Sequence, residues 1–202
     1  PVVSRISLSE ILDSSTMRIC LERVEAMSHR GPNSKGTWSD NKNLSLGHSR
    51  LCIFDTESSE ANQPLIDKPT GDALVFNGEI YNFRSLRAEL QASKESDHTF
   101  KTSGDSEVLF AALRAWGLDQ TLHKLDGMFA FAWWNAAEEK LSMARDRFGI
   151  KPLYWCSENA KGAILFASEV RSLLASGHIA RRVNKDALTD YLRYSTVHAP
   201  AT

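Results

Sequence analysis

A chain of 202 residues, 42% hydrophobic and 24% charged, is long enough for one packed domain with an appendage and too apolar to stay disordered. Its 24 Lys and Arg balance 25 Asp and Glu, and a net charge of −1 gives no electrostatic support for a nucleic-acid or membrane partner. No apolar run approaches the ~20 residues of a membrane span, Pro1-Val2-Val3-Ser4-Arg5 lacks a signal-peptide pattern, and three scattered cysteines predict no disulfide framework, so a cytoplasmic setting is expected.

Residues 7–28 read as a helix. Leu8, Ile11, Leu12, Ile19, Leu21, Val24 and Met27 recur at roughly helical spacing, and His29-Arg30-Gly31-Pro32 stops the pattern. Short strands are predicted at 44–47 and 50–54, and a longer one at 73–80. Residues 82–90 predict a helix capped by Asn82, and 91–100 a polar loop. A second helix spans 105–116, with Val108, Leu109, Ala112 and Leu113 on one face, Asp105 or Ser106 opening it and Gly117 closing it. Residues 128–134 form a nearly continuous apolar strand, followed by a turn at 135–140 and a strand at 141–145. Residues 153–156 and 163–167 predict a hairpin, and 184–195 a terminal helix capped by Asn184. Strands apolar on both faces need cover on both, so two stacked sheets with helices outside are expected. The last residues, 198–202, read as a cut linker.

Four short stretches carry the chemistry. Asn77-Gly78-Glu79 follows the apolar run Ala73-Leu74-Val75-Phe76, and an amide with a glycine N–H at a strand end can stabilise an oxyanion; the plainer reading is an Asn-Gly turn. Arg50, in His48-Ser49-Arg50-Leu51, is either a surface arginine or a fork for a substrate carboxylate. Asp105, in Ser103-Gly104-Asp105-Ser106-Glu107, is either a helix cap or a partner for a substrate ammonium. The stretch from Asp146 to Tyr154 reads as a tight structural turn with buried, paired charges. Cys20, Cys52 and Cys156 read as small hydrophobes rather than nucleophiles. The histidines show no metal-ligand spacing, and His29 and His48 read as structural hydrogen-bonders.

These stretches, with His29-Arg30-Gly31-Pro32, Gln63-Pro64-Leu65, Leu125-Asp126-Gly127-Met128-Phe129-Ala130-Phe131 and Phe166-Ala167-Ser168-Glu169, occur in an order and spacing that resembles the N-terminal glutaminase domain (class II glutamine amidotransferase) of glutamine-hydrolysing asparagine synthetase and its relatives. The resemblance spans roughly residues 29–174. It implies an α+β N-terminal-nucleophile (Ntn) hydrolase fold, a four-layer αββα sandwich of two antiparallel sheets flanked by helices. Residues 1–182 would form the glutaminase domain and 183–202 the start of a linker or helix toward a C-terminal synthetase domain. The implied substrate is L-glutamine, and the ammonia would feed that ATP-dependent domain. No cofactor or metal is implied for the glutaminase domain itself; ATP and Mg would belong to the synthetase. A homodimer is a further implied assembly. Arg50 would hold the α-carboxylate, with Leu51, Ile53 and Phe54 lining the pocket. Asp105 would pair with the α-ammonium, Glu79 and Gly78 would position substrate, and Asn77 with the Gly78 N–H would form the oxyanion hole.

Residue 1 is proline, where the resemblance implies an N-terminal cysteine nucleophile whose own α-amine acts as base. The expectation is that a few residues including this cysteine precede Pro1. Asn33 stands where the family has an acid, and Cys52 where it has a serine. Two functions follow: a glutaminase domain of an asparagine-synthetase-like chain, or a catalytically inactive module of the same fold with a structural or assembly role. An N-terminal cysteine in the native chain separates them. A third, an Ntn hydrolase of some other amide, is disfavoured because Arg50 and Asp105 together demand free α-groups.

Overall fold

The computed structural model describes residues 2–7, 15–42, 44–51, 61–93, 98–157 and 163–197. In chain order the elements are β1 (Val2–Ser7), α1 (Ser15–Glu25), β2 (Ser34–Ser39), β3 (Ser45–Arg50), β4 (Leu65–Ile66), β5 (Ala73–Ile80), α2 (Phe83–Ala92), α3 (Asp105–Lys124), β6 (Gly127–Asn135), β7 (Lys140–Arg145), β8 (Tyr154–Cys156), β9 (Leu165–Ala167), α4 (Val170–Ala175) and α5 (Lys185–Tyr194). Five strands form an antiparallel sheet in the order β1-β7-β6-β5-β4, while β2-β3 and β8-β9 are separate two-stranded sheets.

Alternation along the central strands produces two cores. Leu74, Phe76 and Ile80 of β5, with Phe129, Phe131 and Trp133 of β6, pack against Leu86 and Leu90 of α2 and Val108, Leu109, Leu113 and Trp116 of α3. The intervening residues Ala73, Val75, Ala132 and Trp134, with Leu141 and Met143 of β7, face the other way and meet Leu44 and Leu46 of the β2-β3 region. Adjacent indoles, Trp133 and Trp134, are thus buried in different cores. Helix α1 covers β3 from outside. A Cβ on Gly47 would lie 2.4 Å from Val24 Cγ2 and 2.9 Å from Cys20 Sγ, so this approach admits only glycine. Arg23 of α1 donates through Nη2 to the Phe166 carbonyl, and Ser172 Oγ donates to the Arg23 carbonyl at 3.0 Å, tying α1 to β9 and α4. The order of layers is α2/α3, the five-stranded sheet, the two hairpins, then α1/α4. Among the described residues no helix is long and apolar enough to cross a membrane.

The expected 73–80 strand and the α5 helix stand as read; Asn184 Oδ1 accepts from Asp186 N at 3.0 Å and Ala187 N at 3.3 Å. Other expectations change. Of the helix expected at 7–28, Ser15–Glu25 is helical and Ser7 ends the strand β1 (Val2–Ser7); Leu8, Ile11 and Leu12 lie outside the described residues. The expected strands at 44–47 and 50–54 appear, over the described residues, as one continuous strand from Ser45 to Arg50 that pairs with the unpredicted β2; residues 52–54 lie outside the described residues. Asn82 makes no side-chain cap; its amide donates to the Lys124 carbonyl at 2.8 Å and accepts from Asp126 N at 3.1 Å, tethering the far end of α3 instead. Gly117 does break α3, at φ 72° and ψ 177°, but a further helical stretch follows to Lys124.

Candidate active site

The two inner strand faces turn polar at the same end. On β3, Leu46 is followed on the same face by His48 and Arg50; on β5, Ala73 and Val75 are followed by Asn77 and Glu79. Where side chains stop filling the space between the sheets, a cavity of ≈ 330 Å³ opens. Arg50, Leu51, Asn77, Gly78, Glu79 and Asp105 all line it, although they come from three separate stretches of chain. Ile53 and Phe54, expected in the same pocket, lie outside the described residues, as does Cys52.

The guanidinium of Arg50 is held in place: the residue is 9% exposed, and Nη1 donates to Asn62 Oδ1 at 2.9 Å. Leu51, 56% exposed, sits at the rim. Asp105 is the first residue of α3, and its Oδ2 accepts from Ile80 N at 2.9 Å. Burial raises its carboxyl above the ordinary range, and nearby Glu79 adds to this, against the N–H groups of Ile80, Ser106 and Asp105 itself. The segment before Asp105 is fixed by Glu107. Its carboxylate accepts from Thr102 N and Oγ1, both at 2.7 Å, and from Lys101 N and His98 Nε2, both at 2.9 Å. Burial alone would raise Glu107, but these bonds outweigh it and bring it to about 2.

The edge of β5 supplies donors. β4 pairs only with Ala73 and Leu74. Antiparallel alternation turns the N–H groups of Leu74, Phe76, Gly78 and Ile80 to this edge. Past β4, Phe76 N donates to Gln63 Oε1 at 2.6 Å, His48 Nε2 donates to the Phe76 carbonyl at 3.1 Å, and Ile80 N meets Asp105. By the same alternation the Gly78 N–H faces the cavity that Gly78 lines. A Cβ here would lie 2.3 Å from the Met128 carbonyl oxygen and 2.8 Å from Phe129 Cα. Asn77 Nδ2 donates to Ser168 Oγ at 3.4 Å. Burial lowers His48 to about 4, and Arg50 adds to this while the Phe76 carbonyl opposes it, so the ring is neutral near pH 7 with its proton on Nε2.

Neighbouring motifs act as supports. Glu169 accepts from His29 Nε2 at 3.0 Å, Arg30 Nη1 at 3.2 Å and Arg171 Nε at 3.1 Å, which joins the end of the α1 region to the start of α4. The Asp146 carboxylate accepts from the N–H groups of Phe129, Phe148, Ile150 and Lys151, and Arg145 donates to the Lys151 and Gly149 carbonyls, so this turn is structural as expected, but Asp146 and Arg145 are tied to backbone groups rather than to one another, and Arg147 is exposed. Cys20 is buried, with its thiol raised by that burial, and packs as a hydrophobe. The sequence alone gave no role to Gln63, Ser168 or Arg23, all of which line the cavity.

Helices outside two stacked antiparallel layers, with polar strand ends facing a cavity between them, make the α+β arrangement of an Ntn-hydrolase fold. The chain superposes on glutamine phosphoribosylpyrophosphate amidotransferase of B. subtilis with a TM-score of 0.65 and 22% identity, covering 89% of this chain and 44% of that one. A family model described as a glutamine amidotransferase domain matches residues 7–202, and the chain belongs to that family. It is 41% identical over 174 residues to asparagine synthetase [glutamine-hydrolyzing] 1 of Bacillus subtilis, covering 86% of this chain and 26% of the relative. It is 37% identical over 175 residues to amidase chry2 of Gibberella zeae, covering 85% of this chain and 25% of the relative. The chain thus spans about a quarter of the length of these relatives.

Proposed function

We propose that this domain hydrolyses L-glutamine to glutamate and ammonia. The observation that carries the reading is the convergence of buried Arg50, Asp105 and the Asn77-Gly78 pair on one cavity. Arg50 holds the α-carboxylate, Asp105 takes the α-ammonium with Glu79 beside it, and Leu51 closes the rim. The Asn77 amide and the Gly78 N–H receive the oxygen of the tetrahedral intermediate. The nucleophile is a cysteine ahead of Pro1. Its thiolate attacks the side-chain amide carbon, ammonia leaves carrying the proton taken up by the α-amine, and water then cleaves the thioester to glutamate. The sheet register supports this: Val2 pairs with Arg145, Arg145 with Ala130 and Ala130 with Asn77, so the chain enters β1 in the cross-strand row of Asn77. The greater length of the relatives supports a downstream synthetase domain, dependent on ATP and Mg, that uses the ammonia.

The test is mass spectrometry of the native N-terminal peptide of the full-length protein, together with its release of ammonia from glutamine. A mature terminal cysteine with turnover is the expected result. A native terminus without cysteine and no turnover overturns the reading and leaves an inactive module with a structural or assembly role.

A further inference from the structure

We infer that His48 and Gln63 are positioning residues that clamp the Phe76 peptide groups and thereby fix the oxyanion-binding pair Asn77-Gly78. This inference rests on the function proposed above, which makes Asn77 and Gly78 the donors. Its physical basis lies in the strand edge. β5 is paired on one side by β6 along its whole length, from Ala73↔Trp134 to Ile80↔Gly127. On the other side β4 stops at Leu74. An unpaired strand edge leaves N–H and C=O groups without a ladder, and such an edge is free to twist or slip. Among the described residues, two side chains meet this edge at Phe76, beyond β4. Gln63 Oε1 accepts from Phe76 N at 2.6 Å, and His48 Nε2 donates to the Phe76 carbonyl at 3.1 Å. The Phe76 carbonyl carbon is bonded to the Asn77 nitrogen, so the clamp acts one peptide from the proposed donors. It is anchored at both ends: His48 lies on β3 two residues before Arg50, and Gln63 lies two residues before β4. The position of the oxyanion pair is therefore tied to the position of the carboxylate-binding arginine. Neither His48 nor Gln63 touches the reacting atoms in this scheme. Their effect on rate passes through geometry, to which donor placement is steep: about 1 Å of misplacement can cost on the order of 10²-fold.

The test compares His48→Asn with His48→Gln in the full-length natural protein. Both carry an amide, but only glutamine reaches the place of Nε2. H48N is expected to lower kcat for glutamine by about 10²-fold while KM stays within about threefold, and H48Q to recover to within about tenfold of wild type. Gln63→Leu and Gln63→Glu form the parallel pair, because glutamate retains the acceptor for Phe76 N. Hydrogen exchange of the Phe76–Gly78 amides supplies a readout independent of activity: faster in H48N and Q63L, near wild type in H48Q and Q63E. Equal kcat in H48N and H48Q, or a loss carried by KM, overturns the clamp, as does unchanged exchange in H48N and Q63L. If H48N does not fold, the Gln63 pair decides on the same terms. If the wild-type protein hydrolyses no glutamine, the functional reading fails while the exchange measurements still judge the clamp.

Discussion

Arg50 and Asn77 line one cavity, but their proposed tasks predict opposite kinetic signatures. A guanidinium that holds a carboxylate in the ground state contributes to binding throughout the reaction, so Arg50→Ala should raise KM with a smaller effect on kcat. Arg50→Lys should not restore it, because an ammonium cannot present two parallel donors. An amide that meets an oxyanion contributes only as charge develops, so Asn77→Ala should lower kcat by ~10²–10³ with KM little changed. Steady-state ammonia release by the full-length variants checks both. Gly78 is constrained by space: a methyl group 2.3 Å from the Met128 carbonyl oxygen would force β5 and β6 apart. Gly78→Ala should therefore destabilise by about 1–3 kcal/mol, visible as a lower Tm.

His48 makes stability depend on pH with a definite sign. Its folded value of about 4 lies below the ordinary 6.5, so the unfolded chain takes up the proton first. The contribution is complete above pH 6.5 and is lost as pH falls toward 4, by up to about 3 kcal/mol. Glu107, lowered from 4.5 to about 2, acts in a more acidic window: complete above 4.5 and lost toward 2. H48Q should remove the upper window and leave the lower one, as denaturant titrations of both proteins at a series of pH values would report.

At the scale of elements, the placement of Asp105 depends on the four residues before it. Glu107 gathers Lys101 and Thr102 backbone N–H groups, so its carboxylate is the template on which the entry to α3 is laid. Glu107→Gln keeps the shape but turns an amide NH₂ toward donors. It should lower stability by about 1–3 kcal/mol and raise KM for glutamine through Asp105, measured by thermal unfolding and ammonia release. Elements differ in how far their sequences disclose them. β5 was legible to the residue because an apolar run ends at Asn-Gly-Glu, and α5 because Asn184 caps it locally. β2 was not, since Ser34–Ser39 has Trp38 as its one large apolar residue and gains its identity from pairing with β3. The α3 continuation past Gly117 is likewise held by burial of Leu118, Thr121 and Leu122 rather than by local signals.

Across the whole molecule, the proposed site is the place where two sheets stop sharing an apolar interior. Residue type and position mark Arg50, Asn77-Gly78 and Asp105 as candidates, each with a plainer structural alternative; it is the resemblance carried by the ordered motifs that joins them with Leu51 and Glu79 into one proposed site. His48 reads from sequence only as a structural hydrogen-bonder and Gln63 as part of a motif; their joint hold on Phe76 shows only once β4, among the described residues, ends two residues short of it. With the nucleophile absent, the pocket should still bind glutamine weakly and with measurable heat, and Arg50→Ala should abolish that heat; calorimetry under folded conditions checks this.

Trp133 and Trp134, neighbours in sequence, are buried on opposite faces of β6. They form a natural pair of optical probes a single residue apart. The emission lost in Trp133→Phe belongs to the helix-covered side and the emission lost in Trp134→Phe to the side between the sheets. Following each loss through a denaturant titration turns two adjacent codons into a measure of cooperativity: coincident midpoints mean that the layers melt as one unit, and separated midpoints mean that one side of the sheet loosens first.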